Sequence, residues 1–255
     1  MRSLSFVIPA LNENENIAPL MGLMPLHALR RSGWDVEVLV VDNGSSDGTA
    51  ALARNLGARV IVQPARGYGN AYKLGFANAS GDVIITGDAD LTYPFDAAPE
   101  LLTHFRRERF DFLNTNRLSR ANWNAMKPSH VLGNRALTSA SRSLFRVPFR
   151  DSQSGMWIFR RRIWEDLDVR SPGMAFSQEI KHEAAIRGFQ CGEIDIEYRP
   201  RGGEVKLNAA RDGFRNLVQL GVHRARAQRL AARAVLDLGG DFDELRDEPL
   251  AVAAE

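Results

Sequence analysis

Two aspartates, Asp88 and Asp90, stand two positions apart in the stretch TGDADLTYP (residues 86–94), directly after the apolar run Val83-Ile84-Ile85. Side chains at i and i+2 of extended backbone point to one face, so both carboxylates would project the same way, with only Ala89 between them. Two hard oxygen donors on one face suit Mg²⁺ or Mn²⁺, the other positions being filled by water and phosphate oxygens. That makes a metal and diphosphate site one reading. Turn or helix-capping aspartates ahead of a helix are the other.

Three more polar clusters have a comparable setting. VIPALNENENI (residues 7–17) puts Pro9, Asn12 and Glu13 just after one apolar run, and VVDNGSSDGT (40–49) puts Asp42 after a second. A carboxylate at either place can accept from a base N–H or a ribose hydroxyl. Asn43-Gly44 and the Ser45-Ser46-Asp47 run are turn chemistry, with Ser46 or Asp47 able to cap a following helix. ARGYGNAYKLGFANASGD (65–82) adds a glycine-rich turn in which Arg66 enters a helix carrying Lys73, a surface suited to a diphosphate. The spacings G-x-G-x-x-G and G-x-x-x-x-G-K-[ST] are absent, which removes support from dinucleotide and P-loop readings.

The elements that must position these groups follow a βαβ rhythm. Short apolar runs at 4–8, 36–41, 59–62, 82–86 and 111–115 read as strands, with helical patterns near 14–31, 46–56, 68–79 and 95–107 between them. Continuous apolar runs are expected of parallel strands buried on both faces, so the first half predicts an α/β doubly wound, mainly parallel sheet flanked by helices. In such sheets ligands bind outside the carboxyl ends of the strands, where all these polar clusters fall. The rhythm changes after residue 118, to a helix over 128–146, a strand and helix around 155–164, a helix near 176–188 and a strand over 192–200.

With no Pro/Gly-rich linker between the halves, one domain over residues 1–235 is expected. It comprises a nucleotide-binding lobe (1–118), an acceptor lobe (119–208) and a C-terminal basic helix (209–235), followed by a tail (236–255). Between Arg211 and Arg233 that helix carries six arginines against one acid, Asp212, with Phe214, Leu217, Val218, Leu220 and Val222 interleaved. It could pack on the core with a solvated basic face, or lie on an anionic membrane surface.

The 255 residues are 44% hydrophobic and 25% charged, as in ordinary globular chains. A net charge of +2 gives no reason to expect nucleic acid as partner. A single cysteine, Cys191, excludes an intrachain disulfide and a cysteine zinc site and fits a cytoplasmic location. No apolar run approaches a membrane span, and the N-terminus reads as a first strand and not a signal.

The motifs P-x-L-N-E (9–13), V-V-D-N-G-S-x-D-G-T (40–49), R-G-Y-G-N-A (66–71), G-D-A-D (87–90) and N-R-L (116–118) together resemble the GT-A core of family-2 glycosyltransferases. DSQSGMWIFRR (151–161), GMAFSQE (173–179) and YRPRGGEVKLNAARDG (198–213) are similar to the polyprenyl-phosphate (dolichyl-phosphate) glucose and mannose synthase branch. The resemblance implies a nucleoside pocket lined by Pro9, Leu11, Glu13, Val40 and Asp42. It implies a diphosphate and metal site at Asp88, Ala89 and Asp90, and an Arg117 that contacts donor phosphate or sugar. It implies Arg135, Arg201 and Lys206 facing an acceptor phosphate. Where the mannose synthases place a metal-ligating glutamine, this chain has Thr92.

The implied activity is an inverting, metal-dependent transfer of a hexose from a UDP- or GDP-linked donor to a polyprenyl phosphate, at the cytoplasmic side, with peripheral membrane contact and an oligomer both open. A phosphate monoester has a second pKa near ~6, so such an acceptor is already anionic and needs positive groups rather than a base. Arg135, Arg199, Arg201 and Lys206 could supply them. The alternatives are a small soluble hydroxyl acceptor, for which Glu179 would be the base, and an inactive nucleotide-sugar-binding subunit. Glu179 could equally anchor arginines.

Overall fold

The computed structural model describes residues 2–122, 124–202 and 213–229. Seven strands form one mixed sheet in the order β3-β2-β1-β4-β6-β5-β7: β1 (Arg2–Ala10), β2 (Trp34–Asp42), β3 (Arg59–Val62), β4 (Val83–Thr86), β5 (Phe112–Asn116), β6 (Trp157–Arg160) and β7 (Cys191–Asp195). The five strands expected in the first half are all present. β6, from the second half, inserts antiparallel between β4 and β5, so both halves share one sheet.

The helices are α1 (Asn14–Leu23), α2 (Leu26–Arg31), α3 (Thr49–Asn55), α4 (Tyr68–Asn78), α5 (Ala98–Arg107), α6 (Pro128–Phe145), α7 (Phe176–Ile186) and α8 (residues 213–229). The single helix expected over 14–31 is two. Met24 is extended (φ −74°, ψ 126°) before Pro25, as a residue preceding proline prefers, and the chain restarts as α2. Helix α3 begins at Thr49, three residues later than expected, after Gly48 at φ +90°. Ser46 does not cap it; Asp47 Oδ1 takes the Thr49 N–H at 3.0 Å.

Both sheet faces are covered. Leu4, Phe6, Ile8, Val36, Val38 and Val40 join α1 and α5 on one face. Val7, Leu39, Val41 and Ile84 join α4 and α7 on the other, where Tyr72, Phe76, Trp157, Phe159 and Phe176 form a cluster of edge-on and tilted rings. Burial of both strand faces explains why the strands read as apolar runs and not as alternations.

The site arises where strand partners part. β1 pairs with β4 only through Val7 and Thr86, yet with β2 through Ala10 and Asp42. Past Val7 a crevice therefore opens on the β4 side of β1, at the topological switch where the sheet grows to one side through β2 and β3 and to the other through β4. Pro9, which has no N–H to donate, sits there.

β7 ends at Asp195, short of the expected residue 200. Downstream, the chain leaves the sheet and hydrogen-bonds to the turn after β4: Arg199 N–H donates to Thr92 O and Gly202 N–H to Asp90 O, both at 2.9 Å. This brings Arg201 to the aspartates.

Candidate active site

One cavity of about 690 Å³ lies over the carboxyl ends of β1, β2 and β4. Its donor-side wall holds Pro9, Leu11, Glu13, Asp88, Ala89 and Asp90, six of the residues that the sequence motifs single out, together with Arg66 and Arg201. Ala10, Asn43, Gly67 and Tyr68 also line it, and residues 171–175 with Phe214, Arg215, Asn216, Val218 and Gln219 of α8 complete it.

The aspartates are held by their own turn. Leu91 adopts φ +68°, a conformation that L-residues rarely enter, and this turns Thr92 back on Asp90. Asp90 Oδ1 accepts from Thr92 N–H at 3.2 Å and from Thr92 Oγ1 at 2.6 Å, while Oδ2 meets Arg201 Nη2 at 2.7 Å. The Asp88 carboxyl is pushed up to about 7, chiefly by burial and next by the Asp90 charge; a hydrogen bond from Tyr68 Oη (3.1 Å) and the charges of Arg201 and Arg117 pull the other way. Two neighbouring carboxylates, one driven toward neutrality by burial and by the other's charge, form a pair that a divalent cation would relieve, and their oxygens are the hard donors that Mg²⁺ or Mn²⁺ prefers. The residues present therefore fit such a metal. Among the described residues no third His, Cys, Asp or Glu joins them.

Several expected site residues stand elsewhere. Val40 is fully buried in the core and does not line the nucleoside side, because its strand position points it into the sheet packing. Asp42 lies below the cavity wall, its Oδ1 accepting from Ser45 N–H at 3.2 Å to shape the turn. Thr92 is 1% exposed and spends its hydroxyl on Asp90, so it supports a ligand instead of acting as one. Arg117 is buried behind the aspartates: its Nε and Nη2 donate to the two Asp151 oxygens at 2.8 and 3.0 Å, and its guanidinium lies over the Tyr198 ring. Lys73 donates to Arg170 O and does not line the cavity.

Of the basic acceptor candidates among the described residues, only Arg201 reaches the cavity. Arg135 is exposed on α6 away from it, Arg199 forms a forked pair with Asp96, and Lys206 lies outside the described residues. Glu179 is 4% exposed and does not line the cavity. One oxygen accepts the Arg170 and Ser171 N–H groups, the other Arg226, so of its two readings the contacts support the anchor.

Tyr68 is a site residue that motif reading passed over. It sits between glycines whose role is close approach: a Cβ on Gly67 (φ +149°) would fall 2.3 Å from Pro172 O, and one on Gly69 2.2 Å from Ser171 O. The glycine-rich turn thus packs on the 171–175 wall and aims Tyr68 at Asp88. Opposite, a Cβ on Gly155 would fall 2.6 Å from Tyr68 Oη and 3.4 Å from Asp88 Oδ1. The signal available in the sequence was an aromatic flanked by glycines, read there only for its basic neighbours.

Comparison with known proteins agrees with this architecture. The model of the family described as Glycosyl transferase family 2 matches residues 5–168. A low-salt glycan biosynthesis hexosyltransferase of Haloferax volcanii is 37% identical over 217 residues, 84% of this chain and 52% of that protein. A dolichyl-phosphate hexose transferase of the same organism is 30% identical over 205 residues, 80% of this chain and 86% of the relative. The chain therefore spans about half the length of the first relative and most of the second. Glucosyl-3-phosphoglycerate synthase from Mycobacterium tuberculosis, solved with Mn²⁺, UDP and phosphoglyceric acid, superposes with a TM-score of 0.69 at 23% identity, covering 88% of this chain and 78% of that one. This last likeness is one of fold.

Proposed function

The chain belongs to glycosyl transferase family 2, and on that premise we propose that it moves a hexose from a nucleotide diphosphate sugar to a polyprenyl phosphate. The observation that carries this reading is the make-up of the cavity: the paired aspartates close one end, and an outward-facing apolar and basic helix forms the other. Residues 1–118 would serve the donor, 119–208 the acceptor and 209–235 the approach to lipid.

In this mechanism Pro9, Leu11 and Glu13 hold the nucleoside, and Asp88 and Asp90 hold Mg²⁺ or Mn²⁺ and, with it, the donor diphosphate. Bound there, the cation supplies Lewis-acid stabilisation of the departing diphosphate. Tyr68 and Thr92 keep the two carboxylates in place, and Asp151 holds the Arg117 guanidinium behind them. An acceptor phosphate oxygen attacks the anomeric carbon opposite the leaving group. The bond to the donor's β-phosphate oxygen breaks, nucleoside diphosphate departs with the electron pair, and the anomeric configuration inverts. No side chain needs to remove a proton, consistent with Glu179 being engaged elsewhere.

Support for a lipid acceptor comes from α8. Asn216, Leu220 and His223 face the protein, while Phe214, Leu217, Val218 and Val222 on the other side are 68%, 51%, 47% and 54% exposed. Residues 213–229 hold four arginines and no acid. Apolar side chains turned outward among cations match an anionic lipid surface, and Phe214 and Val218 carry that face to the cavity mouth. Among the described residues no helix is long and apolar enough to cross a membrane.

Sedimentation with vesicles free of acceptor tests this face. The protein should pellet with anionic vesicles and not with neutral ones, and Phe214→Ser with Val218→Ser should abolish pelleting. Self-association through the face, seen by light scattering and removed by the same changes, would contradict it. A small soluble hydroxyl acceptor is the second reading. An inactive binding subunit would show no transfer at all.

A further inference from the structure

The cavity's acceptor side is built from two pieces of chain that are distant in sequence, the loop 171–175 and α8. They meet at one buried carboxylate. Glu179 Oε2 accepts from Arg170 N–H at 3.2 Å and from Ser171 N–H at 2.7 Å, and Oε1 accepts from Arg226 Nη2 of α8 at 2.6 Å. The same Nη2 donates to Asp168 O at 2.7 Å, so Arg226 ties α8 both to the carboxylate that holds the loop and to the chain just ahead of it. The Glu179 side chain is 5% exposed and that of Arg226 18%, so solvent screens this pair little.

The loop is in turn fastened to the donor side. Asn70 N–H donates to Pro172 O at 3.1 Å, and the missing side chains of Gly67 and Gly69 let that carbonyl and its neighbour sit against the turn that carries Tyr68. At its other end α8 is held separately: Gln178 Nε2 donates to Asn216 O and Asn216 Nδ2 to Gln153 Oε1. Breaking the Glu179–Arg226 link would therefore loosen one wall without releasing α8 entirely.

We infer that Glu179 and Arg226 are positioning residues, a clamp that sets the spacing between the 171–175 loop and α8 and thereby the enzyme's affinity for its acceptor. The acceptor half of this inference rests on the proposed function; the clamp itself does not.

The test compares Glu179→Gln, which keeps an acceptor oxygen for Ser171 N–H and loses the charge, with Arg226→Met and the double variant. Hydrogen–deuterium exchange is read at residues 170–175 and 213–222, and kinetics with polyprenyl phosphate are read in parallel. Each single variant should exchange faster in both segments, and the double variant no faster than Arg226→Met alone. The acceptor KM should rise about tenfold, the worth of a charge-assisted hydrogen bond, with donor KM, saturated kcat and pH–rate profile unchanged. Arg226→Lys should restore part of the affinity.

Unchanged exchange at 170–175 overturns the clamp whatever the acceptor proves to be. A Glu179→Gln variant that loses turnover and the acidic limb of its pH profile, beside a silent Arg226→Met, would make Glu179 a base and also overturn it. If the wild-type protein transfers nothing to polyprenyl phosphate, the proposed function fails while the exchange result still judges the clamp.

Discussion

Asp90→Asn is expected to lower transfer by at least about 10²-fold, the scale on which removing one preorganised group from a developing charge is felt. The substitution is nearly isosteric. The amide oxygen can still accept from Thr92, so the turn after β4 should hold, while the amide nitrogen then faces Arg201 in place of the carboxylate oxygen it pairs with, which should lower thermal stability without unfolding the chain. What disappears is half of the negative charge that pairs with a cation, and with it the relief that a cation would bring to Asp88. A thermal-shift titration separates the effects. Nucleoside diphosphate with Mn²⁺ should raise the Tm of the wild-type protein by mass action and leave that of Asp90→Asn nearly unmoved. Equal stabilisation of both would remove Asp90 from the donor site.

Lys181→Met should give the largest loss of stability. Lys181 is fully buried on α7 and its ammonium donates to three backbone carbonyls of one loop, those of Asp151, Ser152 and Ser154, at 3.3, 2.9 and 2.8 Å. Trp157 lies beneath it, 5.6 Å from the ring centre. Methionine fills the space but donates nothing, leaving carbonyls dry and the Asp151 side chain short of a neighbouring charge. Breaking such a buried arrangement costs about 3–5 kcal/mol, or roughly 10 °C in Tm for a chain of this size.

The sign of its pH dependence follows from burial, which draws Lys181 down to about 7 while the charges of Asp151 and Glu193 oppose it. Above that pH the native state releases a proton that the unfolded state keeps until its ordinary value near ~10.4, so this group's contribution to stability grows with pH. The stability gap between wild type and Lys181→Met, from denaturant titrations, should widen between about pH 6 and pH 9. A constant gap would mean the lysine stays charged throughout.

The loop that Lys181 pins also supplies Asp151 to Arg117 and Gly155 to the Tyr68 corner, which explains why a residue far from the cavity matters to it. Its neighbours follow the same pattern: Ser141, His182, His223 and Glu183 run as a chain of side-chain contacts from α6 through α7 to α8. Nothing in the α7 sequence, FSQEIKHEAAI, announces that Glu179, Lys181, His182 and Glu183 are all buried. Period and composition describe a polar helix. Only the loop and α8 closing over it make partners for those charges.

The first five strands were legible because each is a short apolar run bounded by turn residues, and the cavity's donor side because its motifs sit at strand exits. Within those motifs, spacing could not separate ligands from supports. Asp42 directly precedes a lining residue, Asn43, and Val40 lies three positions before it, but a strand buried on both faces carries no inside and outside pattern to sort them. Thr92 has the right distance from Asp90 to be a ligand; the left-handed Leu91 turns it inward instead. The wall at 171–175 shares only its last three residues with the motif GMAFSQE (173–179), and Ser171 and Pro172 become part of the site through packing against Gly67 and Gly69.

Purified protein incubated with Mn²⁺, UDP- or GDP-linked hexoses labelled in the sugar, and polyprenyl phosphate should move label into the organic phase, and Asp90→Asn or excess chelator should prevent it. Label that stays in water, as free hexose or on a soluble acceptor, would contradict the account.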